Sequence, residues 1–398
     1  MEYKTNMQKI YLIKNLAPWM IDELLAFSDI TKFKVVLLKK QNPFFNNELE
    51  KLKRRGIEIY SQPKNYKNFI EKLFFIVPFF INNIKKFRFD YNGVIGIKSI
   101  LWFLRLDINI FQPNSNIHAQ FATQAAILSL MIKKFRKNKL SYSFTFHAHD
   151  IFFTNRWFSL LVRESKVAFS ISNFNILYID KYYANFDKTK IKLSRLGVFK
   201  PAIISKKKIG HDKITIGFLS WFVEKKGIIY LLQAIKILQS KFPNKFHFLI
   251  AGDGPLKHNI IDFIRTEDLS NVVKYIGQVD NKTKTSFFNS LDIFTLPSIE
   301  LKNNKDGIPV VLMEAISYGI PVISTNVSGI PEICLNDHNG ILINEKSSKD
   351  LVAAIIRISS NFDRYINFSH NAVKLYSKSY SIEKNSSYKL KKILWLEG

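Results

Sequence analysis

Cysteine is almost missing from this sequence: Cys334 is the only one among 398 residues. An intramolecular disulfide and any cysteine-based zinc site are therefore excluded, and a reducing compartment suits the composition. Glycine and proline are sparse, at 15 and 12, far below what collagen-like or low-complexity chains carry. Long apolar runs are also missing. The longest near the N-terminus is residues 73–81, with Pro78 inside it, whereas a spanning helix needs roughly 20 residues. Residues 1–10 are polar, so no signal peptide is expected. Several catalytic signatures do not occur: no Asp-x-Asp, no phosphate-binding P-loop, no Gly-x-Ser-x-Gly elbow, no His-Glu-x-x-His. The first expected strand is not followed by Gly-x-Gly-x-x-Gly, which a dinucleotide-dependent redox enzyme would need.

Acidic residues are few, 32 against 59 Lys and Arg, giving a net charge of +27. The excess is uneven. Residues 1–200 hold 33 basic and 14 acidic side chains, and residues 201–398 hold 26 and 18. Two readings fit: a solvated surface in a lysine-rich chain, or an N-terminal half facing an anionic membrane or a phosphorylated ligand. Nucleic acid is disfavoured, because the basic residues are scattered among apolar ones and no zinc-finger or aromatic RNA-binding motif occurs. Residues 64–88 mix the apolar run with Lys67, Lys72, Lys85, Lys86 and Arg88. This is the composition of an interfacial segment, and equally of a core helix with basic ends.

What remains is a globular chain, 47% hydrophobic, in which short β-rich runs alternate with helix-length segments. In the second half, strands are expected at 214–220, 246–251, 272–276, 293–296, 321–325 and 340–343, with helices at 227–241 and 255–265. In the first half they are expected at 9–13, 33–38, 57–60, 142–146, 168–172 and 190–196. Apolar strands separated by amphipathic helices imply parallel sheets covered on both faces. Residues 200–213, with Pro201, Lys206–208 and Gly210, read as a linker. The expected organisation is an N-terminal domain at 1–204, a C-terminal domain at 205–375, and a closing segment at 376–398 that docks on the N-terminal domain as a helix.

The stretch from Asp306 to Ser324 carries the clearest chemistry. Pro309 suits the first helical turn, Gly319 a helix end and Pro321 a strand start. Glu314 is the only charge between Gly307 and Pro331. A lone carboxylate in so apolar a helix is costly unless solvated or hydrogen-bonded. It either points to solvent or accepts hydrogen bonds from ligand hydroxyls. Asp306 sits in the loop entering that helix, where free N–H groups favour an anion. Together these suit a ligand bearing phosphate and hydroxyls, such as a sugar nucleotide.

Asp306 and Glu314, with a Gly319-Ile-Pro-Val-Ile strand, Ser328-Gly329-Ile-Pro-Glu332 and Asn339-Gly340, resemble retaining glycosyltransferases of the family-4 type. The resemblance extends to Val223-Glu-Lys-Lys226-Gly227, to Ala251-Gly-Asp-Gly254-Pro255, and to Phe294-Thr-Leu-Pro297-Ser298. Asn116-Ile-His118-Ala-Gln-Phe and Thr145-Phe-His147-Ala-His149-Asp150 are similar to the subfamily that builds extracellular polysaccharides such as colanic acid. The resemblance implies an α/β architecture of the GT-B fold, two Rossmann-like doubly wound domains facing across a cleft. It implies a nucleoside-diphosphate sugar as donor, no cofactor and no metal. The acceptor it implies is a lipid-linked or other oligosaccharide, handled by a cytoplasmic protein held peripherally at the inner face of the membrane.

By the same resemblance, Glu314 binds the nucleotide ribose, Asp306 lies beside the donor sugar, and Lys226 neutralises the diphosphate. The N–H groups of Gly307 and Ile308 hold sugar hydroxyls; Gly254, Ser328 and Gly329 complete the donor side. His147 stands near sugar and acceptor, with His118, His149 and Asp150 as further acceptor-side groups. Two positions depart from the pattern. Ser220-Trp221 stands where relatives carry Gly-Arg, so the arginine partner of Lys226 is replaced by an indole able to stack on a base or sugar but expected to pack into the domain. Residues 16–20, Leu-Ala-Pro-Trp-Met, replace a glycine-rich turn. A sugar-nucleotide epimerase of the same fold, or a degenerate transferase that binds sugar or a partner, are the alternatives these departures leave open.

Overall fold

The computed structural model describes residues 8–66, 68–87, 90–152, 155–202, 213–302 and 304–394. Lys67, Arg88, residues 203–212 of the expected linker and the last four residues of the expected closing segment lie outside them. The chain divides into two units. The first comprises Met1–Leu196 with Ile382–Gly398, and the second Gly197–Ser381. The chain thus leaves the first unit eight residues before the expected boundary and returns to it six residues after the expected one. The ends of the second unit are tied together: Val198 N–H donates to Tyr380 O at 3.0 Å.

Seven strands form the sheet of the first unit: β1 Lys9–Ile13, β2 Lys34–Leu37, β3 Glu58–Ser61, β4 Asn116–Gln120, β5 Ser141–Phe146, β6 Ala168–Ser170 and β7 Ile191–Leu193. All pair in parallel, in the order β3-β2-β1-β4-β5-β6-β7. Strand side chains alternate between faces. In β1, Ile10 and Leu12 enter one apolar cluster and Tyr11 and Ile13 enter another on the opposite face, so both faces are buried, as the continuous apolar runs predict. The closing helix Ile382–Leu394 packs on the helix Pro18–Ser28 of this unit, placing Leu390 and Ile393 in the second cluster.

The second unit carries six parallel strands: β8 Ile214–Trp221, β9 Phe246–Asp253, β10 Val273–Gly277, β11 Ile293–Leu296, β12 Val322–Thr325 and β13 Gly340–Ile343. Their order is β10-β9-β8-β11-β12-β13. The chain therefore runs outward from β8 in one direction and resumes beside β8 in the other. A gap opens where the order reverses, outside the carboxyl ends of β8 and β11, and ligands of open α/β sheets bind there. The equivalent reversal in the first unit lies between β1 and β4. Each unit is a doubly wound Rossmann-like domain, and the fold is GT-B.

Two findings correct the sequence reading. β4 was not expected as a strand, because Asn116, His118 and Gln120 interrupt its apolar pattern. Trp221 does not pack into the domain: it ends β8 with its side chain 57% exposed.

Candidate active site

The loop leaving β8 is pressed onto the loop leaving β11. Gly227 adopts φ +67°, and a Cβ there would lie 1.8 Å from Pro297 O, so only glycine permits the approach. Ile299 N–H donates to Lys225 O at 2.9 Å, stitching the two loops together. The floor is pinned from β12: Ser324 Oγ donates to Leu296 O at 2.6 Å, and Thr325 Oγ1 to Ser298 O at 2.5 Å.

This places three chemically active groups on one carboxylate. Lys226 Nζ lies 2.8 Å from Asp306 Oδ2, Ser298 Oγ donates to the same oxygen at 3.0 Å, and Lys225 Nζ lies 3.3 Å from Oδ1. Asp306 is buried. Burial alone would raise its carboxyl, but the Lys226 and Lys225 ammoniums outweigh it and hold the carboxyl below its usual range. The cluster is thus two ammoniums on one carboxylate, with one positive charge left over. Pro309 stands just outside the helix Val310–Ser317, at its N-cap. Ahead of it, the N–H groups of Gly307 and Ile308 donate to no group among the described residues.

Glu314, on that helix, is not a solitary charge. Its Oε1 accepts from Lys284 Nζ at 2.5 Å. Lys284 comes from the helix Asn281–Asn289, whose start is fixed by a reciprocal cap between Asp280 and Thr283. Nothing in the local sequence around Glu314 signals this partner 30 residues away. Ser328 takes φ +51° and its Oγ, buried, has no hydrogen-bond partner among the described residues. Gly254 has a packing duty: at φ +146°, a Cβ would come within 2.6 Å of Phe222 N. Among the described residues no group of three or more His, Cys, Asp or Glu side chains could hold a metal ion.

In the first unit, His147 follows the carboxyl end of β5, an interior strand of the sheet. It is nearly buried, its ring 4.5 Å from that of Phe121 and 5.0 Å from that of Trp19. The indole of Trp19 thus lies against the histidine from the turn where glycine was missing. Burial, with Lys389 nearby, lowers the His147 pKa to about 3, so the ring is neutral near pH 7. Its Nε2 lies 3.4 Å from Gln120 Oε1. Gln120 is oriented by donating through Nε2 to Glu23 Oε2 at 2.6 Å, so its oxygen faces the histidine and selects the tautomer protonated on Nε2. Glu23 also accepts from Tyr11 at 2.7 Å and pairs with Lys389, all buried. Sequence reading missed this network entirely.

The other acceptor-side candidates separate. Asp150 is a backbone clamp, its Oδ2 accepting from Ala122 N at 3.0 Å and His147 N at 2.8 Å. It fixes the turn that carries His147 through that one oxygen, while its buried Oδ1 has no hydrogen-bond partner among the described residues. Burial pushes its carboxyl up to about 7 against those two bonds. His118 is a correction: it lies inside the sheet with Nδ1 2.9 Å from Ser143 Oγ and Nε2 3.0 Å from Thr145 Oγ1, both nitrogens engaged. His149 is exposed, its ring 6.3 Å from that of Tyr91.

Residues 199–375 match the family model for glycosyl transferases group 1. The second unit is a group 1 glycosyltransferase domain. The amylovoran biosynthesis glycosyltransferase AmsK of Erwinia amylovora is 32% identical over 172 residues, 43% of this chain and 42% of AmsK. The chain therefore spans less than half the length of that relative. The uncharacterised glycosyltransferase MJ1178 of Methanocaldococcus jannaschii is 25% identical over 315 residues, 76% of this chain and 80% of that protein. The solved structure of Anabaena Alr3699/HepE in complex with UDP and glucose superposes with a TM-score of 0.69 at 15% identity, covering 98% of this chain and 100% of that one. At that identity the likeness concerns the fold.

Proposed function

We propose that the chain is a retaining glycosyltransferase that moves a sugar from a nucleoside-diphosphate sugar to a lipid-linked saccharide during surface-polysaccharide synthesis, peripherally bound to a membrane. The observation that carries this reading is the Lys226–Asp306–Ser298 cluster at the carboxyl ends of β8 and β11. The leaving nucleoside diphosphate gains negative charge as the glycosidic bond breaks, and a fixed ammonium stabilises that charge more than the ground state. Lys226 takes the part that a divalent cation plays in metal-dependent transferases. Gly307 and Ile308 offer N–H groups to the sugar, and Glu314 offers a carboxylate to the ribose. Transfer proceeds on the face the diphosphate leaves, without a covalent glycosyl-enzyme intermediate. The name of AmsK, and the UDP and glucose bound by HepE, support the reading.

The test is a product assay. The full chain is incubated with UDP-, GDP- and ADP-sugars and a bacterial lipid extract, and released nucleoside diphosphate is compared with glycosylated product, whose anomer is read by NMR. Stoichiometric release with retained configuration is expected. An epimerised donor formed without acceptor identifies an epimerase, and donor binding without turnover a degenerate transferase; either ends this reading.

A further inference from the structure

The first unit holds a cavity of 560 Å³ that the donor chemistry does not use. It opens at the carboxyl ends of three strands. Lys14 follows β1, Lys39 and Lys40 follow β2, and Lys64 follows β3; Lys98 and Arg105 face them from the helix Tyr91–Arg105. Among the described residues none of these six cations has a carboxylate partner. They repel one another: the Lys14 ammonium is pushed down by burial and then by Lys39 and Lys98. Six unpaired cations converging on one concavity are a liability to the folded state unless an anion occupies it.

The same helix carries an apolar stripe into the cavity. Tyr91, Val94, Ile97 and Leu101 recur at helical spacing and are all exposed, and Leu101 also lines the cavity. The neighbouring helix Phe69–Asn82 packs beside it and exposes Ile70 (70%), Phe74 (77%), Val77 and Ile81. Its other face packs on the core through Phe75, Ile76 and Phe79, and Lys72 is no surface charge. It is fully buried, donating to Leu104 O at 3.2 Å and Leu106 O at 2.7 Å, and so fastens one helix to the end of the other. An apolar surface spread over two helices exceeds the isolated exposed residues of an ordinary monomer.

We infer that this cavity binds the diphosphate of a lipid-linked acceptor, with the hydrocarbon chain lying along the apolar face of the two helices. The inference rests on the glycosyltransferase reading only for the word acceptor. Cationic head site and apolar track meet at Leu101, so head and tail belong to one amphiphile. A diphosphate carries more charge than a carboxylate, which suits six cations. The volume leaves room for the first sugar, and the position beside the β1–β4 reversal is where ligands of such sheets bind.

Calorimetric titration of the full chain with three probes tests this: farnesyl diphosphate, inorganic pyrophosphate and farnesol, below micellar concentrations. Farnesyl diphosphate should bind at least tenfold more tightly than either fragment. The exposed double variant Lys39→Ala/Lys98→Ala should weaken both phosphates tenfold or more. Ile97→Ser/Leu101→Ser should abolish the preference for the farnesyl chain and leave pyrophosphate affinity unchanged. Equal affinity for the two phosphates means a free-phosphate site, and farnesol binding as tightly as its diphosphate means a plain apolar surface. Either overturns the inference, as does binding unaffected by the lysine pair. Running the titrations in Lys226→Ala separates the two sites. Farnesyl diphosphate binding retained there, with nucleoside diphosphate binding absent even in wild type, would sink the donor reading and leave this one standing. Lys226-dependent nucleoside diphosphate binding without farnesyl diphosphate binding would do the reverse.

Discussion

Removing the Lys226 ammonium isolates the donor-phosphate assignment. In the free protein its one side-chain bond among the described residues is to Asp306, at 2.8 Å, and its side chain is 16% exposed. In Lys226→Ala, Asp306 keeps Lys225 at 3.3 Å and Ser298 Oγ at 3.0 Å. The fold should therefore lose less than the roughly 3–5 kcal/mol of a fully broken buried pair. We expect on the order of 1–2 kcal/mol, since Lys225 and Ser298 still neutralise most of what Lys226 did. A charged hydrogen bond to phosphate is worth about 1.5–3 kcal/mol, so nucleoside-diphosphate affinity should fall about ten- to 150-fold and transfer should be abolished. Asp306→Asn gives the opposite sign for binding. It keeps the shape, releases Lys226 from its ion pair, and should tighten nucleoside-diphosphate binding while transfer falls. Titration calorimetry with UDP, GDP and ADP, beside a turnover assay and a denaturation curve, reads all three quantities. A folded Lys226→Ala protein with unchanged affinity and strong transfer would refute the phosphate-site assignment. So would Asp306→Asn losing affinity in step with Lys226→Ala, because the two side chains would then share a structural role.

Other expectations follow from the same geometry. Glu314→Gln keeps the side-chain shape but weakens its acceptor strength, so donor affinity should drop about tenfold or more in the same titration; unchanged affinity with normal turnover removes the ribose role. Lys389→Met strands Glu23 as an unpaired buried charge and should cost about 3–5 kcal/mol in urea unfolding, with Glu23→Gln/Lys389→Met recovering most of it. Asp150→Asn tests the clamp through pH. The folded carboxyl is raised from 3.8 to about 7, so its contribution is full below pH 4 and lost as pH rises towards 7. The variant should gain stability relative to wild type across that window, by up to about 1.4 kcal/mol per pH unit. A pH-independent difference in thermal midpoint would show that Asp150 is not protonated in the fold.

Much of the fold was legible because parallel sheets leave a strong trace. The strands at 9–13, 293–296 and 340–343 are found at their expected limits, each a short apolar run with both faces buried. β4 escaped for a physical reason. Its polar residues lie opposite polar partners in register, Asn116 with Ser141, His118 with Ser143 and Gln120 with Thr145. Asn116 and His118 bond across to β5, while Gln120 bonds to Glu23 and Tyr11. A strand can thus be wholly buried and still read as interrupted when a neighbouring strand supplies the hydrogen bonds. The Glu314 and Glu23 partners escaped similarly. Lys284 and Lys389 lie 30 and 366 residues away, and no periodicity reports a contact set by topology alone.

Trp221 tests how far a motif can be bent. Its indole is exposed rather than packed, so the position at which the family resemblance implies arginine still faces solvent. The loss of arginine therefore removes a charge without filling the space that charge would occupy. What remains at the carboxyl end of β8 is Lys225 and Lys226 against Asp306, a surplus of one positive charge held in a loop that Gly227 fixes against Pro297. An ammonium cannot offer the two-pronged geometry of guanidinium, so diphosphate binding should be weaker than with arginine but not abolished. Trp221→Arg should then fold normally, because nothing buried is displaced, and should tighten nucleoside-diphosphate binding about tenfold by adding a charged hydrogen bond. If wild type binds no nucleoside diphosphate and this one substitution restores binding, the chain is a degenerate transferase. If both bind and both depend on Lys226, the lysine suffices and the indole is a tolerated replacement.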